Sequence, residues 1–255
     1  LPWQLVAGAH LYGSNSRDLF YTDQLNRPLN NAAGTRPDPT KGSIEFYTNS
    51  GKSDVYDVEL QVRRNFVRGS IIDASYTYEH TKGNSSFDFV SGNSPLNFPT
   101  FADSGPQRYQ VSGPLDFEVK HSFKLSGVAQ LPWGFLASGI LKWRTGLPFS
   151  VTETFRNPQP GGIFPEGYNS RRLDTFFNLD TRFAKTFTVR SSGLELFLDI
   201  FNVTNKQNVI ERNGLRRFNN NGGLNDPGVQ NNPSFLAVRT RGAARSGQVG
   251  LRVTF

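Results

Sequence analysis

Apolar and polar residues alternate along much of this chain with a period of two, the spacing of a β-strand whose two faces meet different surroundings. In Val55–Phe66, the side chains of Tyr56, Val58, Leu60, Val62 and Phe66 fall on one side. Asp57, Glu59, Gln61, Arg63 and Asn65 fall on the other, with Arg64 as the exception. Ser70–Glu79 repeats the pattern, with Ile72, Ala74, Tyr76 and Tyr78 set against Asp73, Ser75, Thr77 and Glu79. The same reading predicts strands over Trp3–Tyr12, Ser122–Leu131, Phe135–Trp143, Phe177–Phe187, Leu194–Asn202 and Gln248–Phe255. Phe135–Trp143 is the least regular, because Leu136 and Ile140 sit on its polar side. Each segment is near the roughly 9–11 residues a tilted strand needs to cross a hydrocarbon layer.

The connections between these segments alternate in length. Val67–Gly69, Pro132–Gly134 and Thr188–Gly193 predict tight turns, whereas residues 13–54, 81–121, 153–175 and 205–247 form long polar stretches. Loops of that length are uncommon inside a compact soluble domain, but short periplasmic turns alternating with long extracellular loops describe outer-membrane barrels. The expected fold is therefore all-β, an antiparallel transmembrane β-barrel segment with both chain ends on the periplasmic side. Trp3, Phe66, Phe135, Phe187 and Phe255 then mark the periplasmic rim, and Tyr56, Tyr78, Phe123, Trp143 and Phe177 the outer one. A soluble β-sandwich using these aromatics as its core is the alternative.

Composition narrows the choice. The 255 residues are 36% hydrophobic, with 22 Phe, 25 Gly and 15 Pro, and a mean hydropathy of −0.47. No run approaches the roughly 18 apolar residues of a membrane helix. There is no Cys, so no disulfide, thiol nucleophile or cysteine-bound zinc is expected. Met is absent even at position 1 and no signal segment precedes Leu1, so the chain is expected to be a processed product or a fragment. The net charge of +7 raises nucleic acid as a partner, but the bases are scattered and no nucleic-acid motif accompanies them, so none is expected.

Little in the sequence carries chemistry. His10, His80 and His121 are far apart without metal-ligand spacing, and there is no phosphate-binding glycine loop or nucleophile elbow. Carboxylates recur on the polar faces at Asp57, Glu59, Asp73, Glu79, Asp180, Glu195 and Asp199, flanked by Arg63, Lys124, Arg182 and Arg252. They are expected to solvate a barrel interior and pair with those bases rather than catalyse. No enzyme activity, cofactor or metal is expected. The stretch 205–247 holds seven basic residues against Glu211 and Asp226. Of these, Arg212, Arg216, Arg217, Arg239 and Arg241 are candidates for contact with lipopolysaccharide or an anionic ligand, against the alternative of a solvated flexible loop.

Several segments, taken in order, resemble the C-terminal barrel of TonB-dependent receptors, in the branch with an N-terminal carboxypeptidase regulatory-like domain. They are Ala74-Ser75-Tyr76-Thr77-Tyr78, His121-Ser122-Phe123-Lys124-Leu125-Ser126-Gly127 and Leu131-Pro132-Trp133-Gly134, then Thr145-Gly146-Leu147-Pro148-Phe149-Ser150-Val151, Asp199-Ile200-Phe201-Asn202-Val203-Thr204-Asn205 and Gly250-Leu251-Arg252-Val253-Thr254-Phe255. The resemblance implies that residues 1–255 are the last eight strands of a barrel of about twenty-two, open on their own. The plug and N-terminal domains would lie upstream. It implies an outer-membrane location in a Gram-negative-type bacterium, and a role as wall and extracellular loops of a receptor moving a large ligand such as a siderophore, oligosaccharide or peptide. Implied partners are outer-membrane lipid and lipopolysaccharide, the TonB complex through the plug, and the barrel assembly machinery, which would recognise Phe255. A complete small eight-stranded barrel acting as anchor or adhesin, and a β-rich outer-membrane enzyme, are the competing readings.

Overall fold

A computed structural model of the chain describes residues 4–26, 36–42, 44–66, 69–84, 112–155, 161–189, 192–221 and 227–254. Trp3 and Phe255 lie outside the described residues. In chain order the strands are β1 (Gln4–Gln24), β2 (Glu45–Asn65), β3 (Ile71–Gly83), β4 (His121–Gln130), β5 (Phe135–Arg144), β6 (Pro148–Phe149), β7 (Thr152–Phe155) and β8 (Gly161–Ile163). They continue as β9 (Arg171–Arg172), β10 (Phe176–Val189), β11 (Ser192–Phe201), β12 (Val209–Arg212), β13 (Leu215–Asn219), β14 (Gln230–Asn231), β15 (Val238–Arg241) and β16 (Ser246–Thr254). Among the described residues the only helical element is a 3-10 turn at Pro132–Gly134, where Trp133 and Gly134 take φ values of 59 and 76.

Eight of these strands form one antiparallel sheet in the order β1-β2-β3-β4-β5-β10-β11-β16. They are the eight strands the alternation predicts. The register lines up their apolar positions into continuous rows, such as Ala9, Leu60, Tyr76, Phe123, Trp143 and Phe177. Ala7, Val62, Ala74, Leu125, Leu141 and Leu179 form the next row. Phe123, Trp143 and Phe177 thus sit side by side near the outer ends of β4, β5 and β10, and Tyr78 and Tyr56 lie further out along β3 and β2.

Nothing packs against this apolar face among the described residues. Leu60 is 50% exposed and Val249 71%, values a soluble sandwich would bury under a second sheet. Among the described residues the buried apolar ones are Leu115, Val151, Tyr168 and Ala184, and of these only Ala184 belongs to the wall. The sandwich alternative therefore fails: a single sheet with one apolar and one polar face fits lipid on one side and water on the other.

The sheet is sheared, as tilted barrel strands require. The β2–β3 hairpin closes on the row of Asn65, Ile71, Val128, Ser138 and Arg182. The β10–β11 hairpin closes at Val189, seven residues (189 − 182) beyond that row. The sheet is also open. Among the described residues β1 pairs only with β2 and β16 only with β11, so the closed eight-stranded barrel does not form.

The long connections differ from expectation. Residues 13–24 and 45–54 are strand, not loop, so β1 and β2 reach 21 residues each. At about 3.3 Å per residue they span roughly 70 Å, about twice a hydrocarbon layer, and β3 accompanies β2 only as far as Gly83 opposite Ser53. The outer halves therefore form a two-stranded arm beyond the wall. The remaining short strands, β6 to β9 between residues 148 and 172 and β12 to β15 between residues 209 and 241, assemble into the sheets β14-β13-β7-β8, β12-β15 and β6-β9.

Candidate functional site

The polar face of the wall collects the charged residues the alternation set apart. Asp57, Glu59, Gln61 and Arg63 of β2 stand opposite Glu79, Thr77, Ser75 and Asp73 of β3. Gln61 Nε2 donates to Asp73 at 3.1 Å. At the far end of the sheet Arg182 grips Asp199 through two bonds, Nε to Oδ1 at 2.5 Å and Nη2 to Oδ2 at 2.7 Å. Gln248 adds a third at 2.8 Å. Arg182 also lies 4.4 Å over the Phe197 ring, and Arg252 sits 3.8 Å from Glu195. Asp180 accepts the backbone N–H of Asn202 at 2.8 Å. Asp180, Glu195 and Asp199 thus pair with bases or backbone, the arrangement expected of a solvated interior.

Charge is nevertheless divided across this face. Asp57, Glu59, Asp73 and Glu79 gather on β2 and β3, while Lys124 and Lys142 stand directly opposite one another on β4 and β5. Like charges at opposed positions destabilise a sheet, and neither lysine makes an ion pair among the described residues. Arg144, one row further out, lies 4.8 Å over the Phe176 ring. Towards the turn end, Leu136 and Ile140 stay on the interior side, as the sequence indicates. Ile140 joins Ile71, Val128, Asp180 and Arg182 around a hollow of about 470 Å³.

Above the wall, buried carboxylates knit the loops together. Glu118, 1% exposed, accepts the Thr81 backbone N–H at 2.5 Å and its hydroxyl at 3.0 Å and pairs with Arg172. Burial lowers the pKa of the Arg172 guanidinium, and the charge of Glu79 partly offsets this. Gly146 makes the crossing possible: a Cβ there would lie 1.9 Å from the Leu173 carbonyl oxygen. The Tyr168 hydroxyl donates to Asp116 at 2.5 Å, and burial together with that carboxylate pushes its pKa far above the ordinary value. Asn169 donates to the same carboxylate at 2.7 Å.

Glu153 of β7 is the most enclosed of these groups, at 0% exposure. It accepts Arg216 Nε at 2.6 Å and Arg217 Nε and Nη2 at 2.7 and 2.6 Å. Burial alone would raise its pKa, but the hydrogen bonds from Arg217 and Arg216 overcome this and hold it below the ordinary carboxylate value. This pairing fastens β7 to β13, a parallel contact between segments about sixty residues apart.

The candidate bases of 205–247 are thus mostly engaged. Arg216 and Arg217 meet at Glu153. Arg212 bonds Asp174 at 2.5 Å and the Leu236 carbonyl at 2.7 Å. Arg239 bonds Glu211 at 3.3 Å and Asn213 at 3.0 Å. Arg241 stands opposite Val209 and is exposed. Phe255, the expected assembly signal, lies outside the described residues. The histidines stay apart: His10 faces Glu59 across β1 and β2, His80 lies 3.9 Å from Glu118, and His121 shares a 2.8 Å hydrogen bond with Tyr76 on the apolar face. Among the described residues no three His, Asp or Glu side chains converge as a metal site.

Sequence reasoning missed Glu118, Glu153 and Asn202 as organising residues. Asn202, at φ 50, donates through Nδ2 to the Lys206 and Ala243 carbonyls. It lies in one of the segments that carry the family resemblance, which was the available signal. A lone Asn or Glu in a polar stretch gives no local sign of a distant partner.

A family model described as outer membrane beta barrel domain matches residues 1–165. No curated protein sequence matches the chain. Among solved structures, the outer membrane transporter YddB from Escherichia coli is similar over 97% of this chain at a TM-score of 0.56 and 17% identity, a likeness of fold. The alignment spans 30% of that transporter. The family match takes in the hairpins whose lipid and water faces the register separates, so this chain belongs to the outer membrane beta-barrel domain family and resides in the outer membrane.

Proposed function

We propose that this chain is the wall and outer loops of a TonB-dependent transporter, the last eight strands of a barrel of about twenty-two, carrying no catalytic chemistry of its own. The observation that carries the reading is a two-faced wall whose edge strands, β1 and β16, each have one partner among the described residues. β16 alone has nine residues, about half of which turn their N–H and C=O groups outward. At several kcal/mol for each unsatisfied group in lipid, that edge requires another strand. The similarity to less than a third of a transporter's length fits a larger barrel.

The interior hollow adds support. Ile71, Val128 and Ile140 present apolar surface to a side that water would otherwise fill, and a folded plug resting there would cover it. The loops above, held by Glu118 and Glu153, then form the mouth in which a large ligand is captured. Uptake and export both fit this arrangement.

Hydrogen exchange tests the barrel part. In the whole protein, reconstructed from the coding sequence upstream of Leu1, the outward amides of β1 and β16 should be as protected as those of β4. In the isolated chain they should exchange freely. Equal protection in the isolated chain would overturn the larger barrel. Binding of the whole protein to the periplasmic domain of TonB tests the energy coupling, and its absence would remove that part of the reading.

A further inference from the structure

The Lys and Arg residues of β4 and β5 are Lys124, Lys142 and Arg144, and neither strand contains an acidic residue. The register places all three cations on the interior face of the wall. Lys124 stands directly opposite Lys142, and Arg144 opposite Ser122. Opposed positions lie about 5 Å apart at Cβ, and Arg144, two residues beyond Lys142, is about 7 Å further along the strand. The cations therefore form one compact strip, flanked in the same row by Ser75 of β3 and Asn178 of β10.

Among the described residues none of the three makes an ion pair, and both lysines are exposed. The carboxylates around them are held by other donors. Asp73, diagonal to Lys124, accepts Gln61 Nε2 at 3.1 Å. Asp180, diagonal to Lys142, accepts the Asn202 N–H at 2.8 Å. Glu79, on the interior face of β3, accepts the Val119 N–H at 2.7 Å. Two lysines at opposed positions repel one another and weaken the sheet. Departures of that kind from the rules of stable packing occur where function requires them.

The strip also has a direction. Arg144 ends β5 at the outer side of the wall, two residues before Gly146, whose carbonyl accepts Arg172 of the loop clamp at 3.2 Å. Lys142 and Lys124 lie deeper, in the row next to Ser126 and Ile140. Cations running from a mouth into a water-filled lumen attract anions and concentrate them along the wall.

We propose that Lys124 and Lys142, with Arg144 above them, bind an oxyanion group, phosphate or carboxylate, of the ligand that the barrel transports. This rests on the transporter reading, which makes the interior face a lumen. Both ammonium groups converge on one oxyanion, so that two attractions offset their mutual repulsion. Ser75 and Asn178 bring neutral donors to the same row. Arg144, which lies 4.8 Å over the Phe176 ring, meets the anion first on entry. The transported ligand is then of the anionic class, and the rival occupant of the strip is a carboxylate of the plug.

The test uses the whole protein in neutral detergent with pyridoxal 5′-phosphate. Its aldehyde condenses with a lysine amine, losing water, and borohydride fixes the adduct for mass spectrometry. Pyridoxal, which lacks the phosphate, is the control. With one lysine holding the phosphate and the other meeting the aldehyde, the ratio of labelling by the two reagents at Lys124 and Lys142 should exceed that at Lys41 by about tenfold. Lys41 is the reference because it is exposed beside Asp38. Inorganic phosphate or citrate should suppress the excess. Lys142→Gln should abolish it at Lys124 and Lys124→Gln at Lys142, whereas Lys142→Arg should keep it at Lys124.

The wild-type measurement stands whether or not the variants fold. A ratio no higher than at Lys41, which a plug carboxylate seated on the lysines would give, or no suppression by either anion, would overturn the proposal. Hydrogen exchange at β1 and β16 in the same protein separates this result from the barrel reading. Protected edges without phosphate-selective labelling would remove the anion site and leave the barrel standing. Freely exchanging edges would remove the barrel, and with it the lumen that the strip faces.

Discussion

Replacing Glu153 by Gln removes the charge that joins two outer loops. The carboxylate accepts three short hydrogen bonds from Arg216 and Arg217. Each charge-assisted bond contributes about 1.5–3 kcal/mol when buried. The two arginine side chains are 35% and 40% exposed, so they return to water when released and the loss is smaller than for a fully enclosed pair. Gln retains one acceptor oxygen, leaving an expected loss of about 2 kcal/mol, local to the β14-β13-β7-β8 sheet.

The assay is hydrogen exchange in the folded whole protein, followed at the bonds that tie this sheet together, from Thr152 N to the Gly214 carbonyl and from Asn232 N to the Arg216 carbonyl. Two kcal/mol corresponds to about a thirtyfold fall in protection, with no change in β3, β4 or β5. The pH dependence has a fixed sign. Because the folded pKa of Glu153 lies below its ordinary 4.5, the stabilisation is complete above that value and is lost as pH falls through the lower folded one. Protection in this sheet should therefore be flat near neutrality and collapse only in acid, and Glu153→Gln should abolish that acid step. Unchanged exchange in Glu153→Gln, or loss spreading into the wall, would refute the clamp.

Two further substitutions probe the wall. Leu125→Arg places a charge in the middle of the apolar face and should cost about 2–4 kcal/mol in equilibrium unfolding from lipid, whereas Ser126→Arg, one residue along on the interior face, should be close to neutral. Equal costs would mean that the faces are misassigned. Gly250→Ala sets a Cβ 2.1 Å from the tip of the Phe197 ring, forcing the ring from beneath Arg182. A loss of about 1–3 kcal/mol is expected, and Phe197→Leu in the same chain should recover most of it. Additive losses in that double-mutant cycle would show that the two sites do not touch.

The wall was legible because its strands divide two solvents. Period two in β2 from Tyr56 to Arg63 records lipid on one side and water on the other, and the register then follows from keeping Val58, Leu60 and Val62 beside Tyr78, Tyr76 and Ala74. The same cause explains where the pattern stopped. Beyond Tyr12 both faces of β1 meet water, so Ser14, Asn15, Ser16 and Arg17 show no alternation although the backbone ladder continues to Gln24. Leu136 and Ile140 looked like irregularities and instead mark apolar surface on the interior side.

The loops were opaque for another reason. Thr152–Phe155 pairs with Leu215–Asn219 through a contact no local pattern announces, and Arg216 and Arg217 read as exposed charge until Glu153 stands between them. The described part of the 205–247 stretch is built on short strands and Asn side chains, as where Asn208 bonds both the N–H and the carbonyl of Phe177.

The most direct test of the membrane wall is a nitroxide scan of β2. The chain contains no cysteine, so single Cys substitutions from Val55 to Asn65 in the whole protein, in lipid bilayers, add no competing thiol from this segment. Labels at Tyr56, Val58, Leu60 and Val62 should collide freely with oxygen and little with a water-soluble nickel complex. Those at Asp57, Glu59, Gln61 and Arg63 should show low oxygen accessibility throughout. A profile without period two, or one with the phases reversed, would contradict the account.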